Sequence, residues 1–413
     1  MQAIHQLRDV SNENLTRFVG WWNNPSYYWI TRPLVAFIIT RLIVFIAAYL
    51  AEIAIPGLSG AGLYHVNPNN VFLDVWARWD SAFYLSIVER GYFFQIGTQS
   101  SVAFFPLYPL LISLLAPLVG SLAAGVIVSH TCLFGALIFL YRLTEFEFHD
   151  SRTAARTVFY IASFPTAFFF SAVYTESTFL LFSIATFYFA RRHLWAWAML
   201  FGIFCSAARI IGFTMVGVVG LEWLAAHGWT LGTFLKMDAW RNLIRGLRTD
   251  WLNLLLILMI PLGLISYMVF LYTTYGDPVA FNTTQAAWGR ETLGFWTVIP
   301  RDLFRFLGGN FLTGDIWYHV ALDIGAFFLV VAVALVLWRR LGASYALYCL
   351  ISILIPASSG SGSLSRYALV AFPVFMMLGW WGRSSTLDRT ITIGFSMFLG
   401  VLTTVFVNWI FVA

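Results

Sequence analysis

Residues 76–92, WARWDSAFYLSIVERGY, set the carboxylate of Asp80 among two tryptophans, two tyrosines and a phenylalanine. Two geometries are open to it. Asp80 can sit at the N-cap of a helix over 81–90 that Gly91 closes, where an aspartate is a favoured cap. If the helix instead begins near Val75, then Trp76, Asp80, Tyr84 and Ile87 share one face, while Arg78, two residues away, points to nearly the opposite side. A carboxylate without a local cation, held on an aromatic surface, is a candidate general base.

Other residues could join that chemistry. Glu176, in FFFSAVYTESTF, opens a helix with Thr175 before it; an acid in the first turn suits the helix dipole, so a structural role and a chemical one both fit. Arg366, in SGSGSLSRYALVAFPVF, stands at the N-terminal end of an apolar run, where the helix dipole disfavours a cation and an anionic ligand would account for it. The Gly/Ser run before it lacks the GK[ST] ending of a phosphate-binding loop and reads as a flexible connection. Arg209 and Arg41 fall inside apolar runs and are functional candidates on that ground, although Arg41 is near enough to an end to snorkel. Gln285, Trp288 and Arg290, in NTTQAAWGR, add a polar and aromatic surface. The three cysteines, Cys132, Cys205 and Cys349, sit singly in apolar runs and read as packing residues, and the seven histidines form no HxxxH or HxxE pair, so a histidine-built metal site is not expected.

The elements that must position these side chains are membrane helices. Of 413 residues, 60% are hydrophobic and 10% charged, against about 25% charged in soluble domains. The basic excess, +5 from 24 Lys and Arg against 19 Asp and Glu, clusters between apolar runs, so it bears on topology and offers no nucleic-acid reader. About thirty mixed residues precede the first apolar run, too long a leader for a signal peptide, so that run reads as a retained anchor. Spans are expected over 33–55, 121–141, 157–174, 177–190, 195–210, 211–225, 251–273, 317–338, 342–357, 367–382 and 390–411. The run 104–120 holds three prolines and is read as an interfacial or re-entrant element. With that choice the clusters Arg8/Arg17/Arg32, Arg142/Arg152/Arg156, Arg191/Arg192, Lys236/Arg241/Arg245/Arg248, Arg339/Arg340 and Arg383/Arg389 share the cytoplasmic side. Arg78, Arg90, Arg290, Arg301, Arg305 and Arg366 then lie outside. The expectation is an all-α polytopic membrane protein forming a single integral membrane domain over 1–413, with eleven spans, the N-terminus inside, and extracytoplasmic loops at 56–120 and 274–316.

Six stretches in chain order, RWDSAFYLSIVERGY, FFPLYPLL, FPTAFFFSAVYTES, AARIIGF, QAAWGR and SRYALVAFPVF, resemble the prokaryotic branch of the PIG-V mannosyltransferases, which belong to the GT-C membrane glycosyltransferases. The likeness runs over roughly 33–382, and RIIG departs from the family's usual Arg, small or polar residue, Gly. It implies a GT-C fold with interfacial helices in the first extracytoplasmic loop, in the plasma membrane of a prokaryote or the ER membrane of a eukaryote. It also implies a polyprenyl- or dolichyl-phosphate-mannose donor and a glycan, glycolipid or protein acceptor. The topology agrees, because the site faces away from cytoplasmic nucleotide sugars and the chain has no dinucleotide-binding fingerprint. In that reading Asp80 is the catalytic base, and Arg366 with Arg209 holds the lipid phosphate. Glu176 orients the acceptor or assists a divalent cation, the one cofactor the reading leaves room for. Trp79, Tyr84, Gln285, Trp288 and Tyr367 complete the substrate surface, with Trp76, Trp79 and Tyr84 either stacking on a pyranose or anchoring the loop. Single displacement would invert the anomeric centre. Two alternatives stand beside it: a lipid or sugar transporter or scramblase, with Glu176, Arg209 and Arg41 lining a path, and a sugar ligase using a lipid-diphosphate donor.

Overall fold

The computed structural model of the chain describes residues 24–55, 66–67, 69–290, 293–308 and 317–412. Arg8, Arg17 and parts of the two expected outer loops lie outside these. No strand occurs among the described residues. The helices, in order, are α1 (Tyr28–Ala54), α2 (Ser81–Arg90), α3 (Leu107–Val119), α4 (Ser121–Phe148), α5 (Ser151–Ser163), α6 (Glu176–Arg191), α7 (Trp195–Ala208), α8 (Met215–Ala226) and α9 (Met237–Thr249). They continue as α10 (Trp251–Leu258), α11 (Leu262–Tyr275), α12 (Phe295–Leu307), α13 (Trp317–Arg340), α14 (Ala343–Ala357), α15 (Leu364–Val370), α16 (Phe372–Trp381) and α17 (Ser385–Val407).

The long helices are apolar on every side because they face lipid as well as each other. Buried threonine hydroxyls turn back onto their own helix backbone: Thr40 of α1, Thr157 of α5 and Thr403 of α17 donate to the carbonyls of Ala36, Thr153 and Leu399 at 2.6–2.9 Å, which satisfies a polar group where no water reaches. By length and apolarity four helices can cross a membrane, α1, α4, α13 and α17, or six if the bent pairs α10–α11 and α15–α16 each make one span. The other expected spans are shorter helices, so length alone does not reach eleven.

Prolines explain where helices depart from the expected runs. The run 157–174 is not one helix: α5 stops at Ser163, one residue before Phe164, whose successor Pro165 disfavours the helical conformation at Phe164. The chain then continues through the short 3₁₀ turn Ala167–Phe170 to α6. The run 367–382 breaks by 73° at Ala371, ahead of Pro373 in the first turn of α16, and α10–α11 bends by 41° at Pro261. Helix α3 has 13 residues, about 20 Å, short of a bilayer core. It begins beside Phe104 and Phe105 and ends where Ser121 Oγ donates to Glu89 Oε1 at the end of α2, at 2.6 Å. Its Leu110, Leu114 and Leu118 are exposed, as an interfacial element requires.

Helix α6 packs between α4 and α7, α16 against α5, and α1 against α17. At the ends of α4 and α6 far from Glu176, Arg191 binds Glu147 and Glu222, and Tyr345 and Ser344 of α14 donate to those same carboxylates. That network clamps four helices at one end of the bundle. Arg41 does not snorkel: it is buried, and its guanidinium donates to the carbonyls of Ala162 and Ala167 and to Ser171 Oγ at 2.7–3.0 Å, supplying the segment 162–171 with donors that helix geometry does not. The cysteines are free and buried.

Candidate active site

A cavity of about 610 Å³ opens between the N-termini of α2 and α6, the C-terminus of α7, the segment 281–290, and α14–α15. Trp79, Asp80, Tyr84, Arg209, Gln285, Trp288, Arg366 and Tyr367 all line it. Glu176 is fully buried and does not line the cavity itself, but it pairs with both of those arginines.

Asp80 is delivered by a turn rather than by a helix face. Helix α2 begins at Ser81, not near Val75, so Trp76 does not share a face with Asp80. Trp76 is buried against Phe45 and Tyr49 of α1. Trp79 adopts a left-handed backbone, φ +55°, and this reversal swings Asp80 toward the cavity. Such a conformation in a bulky residue costs about 1–3 kcal/mol and persists only where neighbours fix it. The neighbours are Tyr174, whose hydroxyl accepts from the Asp80 N–H (3.2 Å) and donates to the Arg78 carbonyl (3.1 Å), and Trp409 and Phe411, which meet the Trp79 ring edge-on. Asp80 occupies the N-cap position, yet its side chain makes no capping bond. It is free for other work.

Arg78 does leave Asp80 alone. Fully buried, it binds Asp74 at 2.8 Å, the Val407 carbonyl at 3.0 Å and Glu52 at 3.6 Å. The carboxylate is nevertheless paired, and this corrects the expectation of an unpaired acid: Arg366 Nη1 donates to Asp80 Oδ2 at 3.0 Å, across 286 residues of sequence. Asp80 Oδ1 takes no hydrogen bond from any described residue, so a lone pair stays available to a substrate hydroxyl.

The same Arg366 lies 3.4 Å from Glu176 Oε1 through Nε, and Arg209 Nη2 donates to that oxygen. Arg209 Nε also donates to Thr175 Oγ1 at 2.9 Å, and the Tyr84 hydroxyl reaches the same oxygen at 3.4 Å. Thr175 therefore receives Arg209 and Tyr84 rather than capping α6. Two guanidiniums and two carboxylates leave the cluster neutral. Arg209 Nη1 and Glu176 Oε2 are buried with no hydrogen-bond partner among the described residues. Burial pushes the Tyr84 hydroxyl well above its ordinary pKa, so it is a neutral donor at working pH.

Two local features aim the arginines. Arg209 caps α7 in extended conformation and the chain turns at once into the 3₁₀ segment Ile210–Thr214. A Cβ at Gly212 would stand 2.1 Å from the Cys205 carbonyl oxygen, so the turn accepts only glycine there. Arg366 sits on α15, whose N-terminus is held by Asp323 of α13. Its two carboxylate oxygens accept from the N–H groups of Ser365 (2.7 Å) and Ser363 (3.0 Å), the latter at φ +73°. Sequence reasoning missed Asp323 and Tyr174, and gave Thr175 a capping role where it binds Arg209. Asp323 was detectable as an acid inside an apolar run; Tyr174 carried no signal of its own.

Gln285 links the segment 281–290 to the rim, donating to the Phe281 carbonyl and accepting from Arg290, both at 3.1 Å. Trp288 packs on Phe83 and Phe104. Among the described residues no three His, Cys, Asp or Glu side chains come together, so Asp80 and Glu176 offer a divalent cation only two carboxylates, each already on a guanidinium. Arg41, bound to backbone 162–171, is not among the residues that line the cavity.

A family model described as Mannosyltransferase (PIG-V) matches residues 27–338, which include Asp80, Glu176, Arg209, Gln285 and Trp288 and stop short of Arg366. With the helical membrane fold, that match sets the chain among the membrane glycosyltransferases. GPI mannosyltransferase 2 of Yarrowia lipolytica is 31% identical over 157 residues, 37% of this chain and 43% of that protein. The oligosaccharyltransferase of Archaeoglobus fulgidus in its apo form, 13% identical, aligns over 94% of this chain and 57% of its own with a TM-score of 0.47. The same enzyme tethered to an acceptor peptide gives 14%, 94%, 55% and 0.48. This chain thus spans under two thirds of the length of each of these relatives. It belongs to the PIG-V mannosyltransferase family.

Proposed function

We propose that the protein moves mannose from a polyprenyl-phosphate-mannose donor to an acceptor hydroxyl on the extracytoplasmic side of the membrane, inverting the anomeric centre. The observation that carries this reading is that Asp80, Arg366 and Arg209, from three distant parts of the chain, line one cavity, with both arginines paired to the buried Glu176.

The donor phosphate is a monoanion, and the neutral cluster accepts it by reorganising. Arg366 moves its Nη1 from Asp80 to a phosphate oxygen, and Arg209 offers its unpartnered Nη1. Glu176 keeps both guanidiniums oriented. As Arg366 turns to the phosphate, Asp80 Oδ2 is released to accept from the acceptor hydroxyl. The acceptor oxygen then forms a bond to the anomeric carbon as the bond from that carbon to the phosphate oxygen breaks. The bonding pair leaves on the phosphate, stabilised by the two arginines, and the hydroxyl proton goes to Asp80. The lipid phosphate needs no proton to depart. A single displacement converts a β-linked donor into an α-mannoside.

The apolar residues that line the cavity, among them Phe105, Ile210, Ile211, Phe281, Ile355 and Pro356, suit a donor whose carrier is a hydrocarbon chain. The outward orientation rests on the basic clusters, which concentrate at the end of the bundle away from the cavity, where Arg191 joins Glu147 and Glu222. The test is transfer by the purified protein of radiolabelled mannose from synthetic polyprenyl-phosphate-mannose to a panel of glycan and glycolipid acceptors, run beside GDP-mannose and a mannose lipid-diphosphate. Label should pass only from the monophosphate lipid. Transfer from either of the other donors, or lipid movement without transfer, contradicts the reading.

A further inference from the structure

Helix α9 carries three distinct stripes, and only one of them meets the protein. Ala239, Leu243 and Gly246 are buried, and Gly246 sits so close on the His227 ring that a Cβ there would come within 2.2 Å of it. The second stripe is apolar and bare: Met237, Trp240, Ile244 and Leu247 are 44–68% exposed, and it is prolonged by Leu235 before the helix and Trp251 after it. The third, beside it, is Arg241, Arg245 and Arg248, all exposed. Arg241 has Asp238 at 3.2 Å on an exposed pair, whereas Arg245 and Arg248 have no ion pair to a described residue. Asp250 is turned the other way, onto Trp223, Asn253 and His227.

The bare stripe does not end with the helix. Leu252, Leu255 and Leu258 of α10, which continues into the bent span, are 47–61% exposed, so one apolar surface runs from α9 into the lipid-facing wall. Helix α8 leaves the cavity beside Ile210 and Ile211 and runs 12 residues, about 18 Å, before α9 begins. Arg191, at the end of α6 remote from Glu176, binds Glu222 of α8, so both helices run away from the cavity together. Helix α9 therefore lies at the opposite end of the bundle.

We infer that α9 lies in the plane of the leaflet opposite the cavity, with Met237, Trp240, Ile244 and Leu247 among the acyl chains and Arg241, Arg245 and Arg248 on the phosphates of anionic lipids. The occupant follows from two observations: the apolar stripe is continuous with the wall of a membrane span, and the stripe at headgroup level is cationic. A helix with a large apolar face that carries tryptophan and a basic face beside it is the pattern that binds anionic interfaces. A protein partner at the same place would need acids facing Arg245 and Arg248 and would shield Ile244 from lipid.

The test uses the full chain in nanodiscs. Cysteines introduced by Ile244→Cys or Asn242→Cys carry an environment-sensitive fluorophore; the three native cysteines are buried. Lipids brominated on the acyl chain should quench the label at 244 strongly and the one at 242 weakly, because 242 lies on the polar side of the helix. At equal mole fraction, brominated phosphatidylglycerol should quench at 244 as though enriched about fivefold over brominated phosphatidylcholine, the factor matching about 1 kcal/mol for a basic residue near an anionic surface. Arg241→Gln/Arg245→Gln/Arg248→Gln should abolish that preference and leave the acyl quenching. Absent or equal quenching at the two sites overturns the interfacial placement. Equal quenching by the two lipids with the arginines intact overturns anionic-lipid binding.

Discussion

Arg366→Ala tests the division of labour in the cavity. In the wild-type chain Arg366 is 3.0 Å from Asp80 and 3.4 Å from Glu176, and its side chain is 8% exposed. Removing it changes the cluster from two cations and two anions to one cation and two anions. An incoming phosphodiester then loses one charge-assisted hydrogen bond, worth about 1.5–3 kcal/mol, or about 10- to 150-fold in donor affinity. Folding should survive, because Glu176 keeps Arg209 and Asp80 is a third exposed and regains water. Arg366→Lys restores the charge without the planar fork that spans Asp80 and Glu176, and should recover about half of the lost free energy. The assay is titration of detergent-solubilised variants with polyprenyl-phosphate-mannose, with thermal unfolding as the control. A folded Arg366→Ala protein with wild-type donor affinity refutes the phosphate role, whatever its turnover.

Asp323→Ala should act through Arg366, since it strands the N–H groups of Ser363 and Ser365 that fix the start of α15. The donor KM should rise about tenfold with kcat little changed, given about 1–3 kcal/mol for each orphaned buried donor; a lower kcat at unchanged KM would sink the assignment. Asp150 caps α5. Partial burial pushes its carboxyl up, but bonds from Thr153, the Arg152 N–H and Arg383 outweigh that and hold it below 3.8. A carboxyl lowered on folding stabilises above its unfolded pKa and ceases to as pH falls through its folded one. Asp150→Ala should therefore cost about 1 kcal/mol at pH 7 and progressively less below pH 4, read by chemical denaturation; a cost independent of pH contradicts the cap. For topology, a cysteine at Gln99, on the cavity side, should react with an impermeant maleimide on intact cells, and one at His149 should not; both residues are exposed in the fold. Labelling at His149 would mean that 104–120 crosses the membrane.

The side chains of the cavity were legible because charge inside an oily sequence is costly and stands out. Asp80, Glu176, Arg209 and Arg366 are noticed for that reason, and all four meet. Their pairing was not legible. Local spacing excludes Arg78 as the partner of Asp80 but is silent on Arg366, which arrives through the fold. Of the two starts open to α2, the structure takes the one at Ser81, and local spacing does not decide between them for a related reason: the left-handed Trp79 depends on Tyr174, Trp409 and Phe411, none of them nearby in sequence. Apolar runs marked most helices, but a run such as 157–174 does not tell whether Pro165 ends a helix or merely bends one.

The central claim is that Asp80 removes the acceptor proton, and Asp80→Asn tests it most directly. Asparagine keeps the shape and an oxygen for Arg366 but cannot hold the proton. Single-turnover transfer of radiolabelled mannose from polyprenyl-phosphate-mannose should fall about 10²-fold or more, the scale of general-base catalysis, while donor affinity and thermal stability stay near wild type. Transfer at a near-normal rate by the folded variant would contradict the account and pass the role to Glu176.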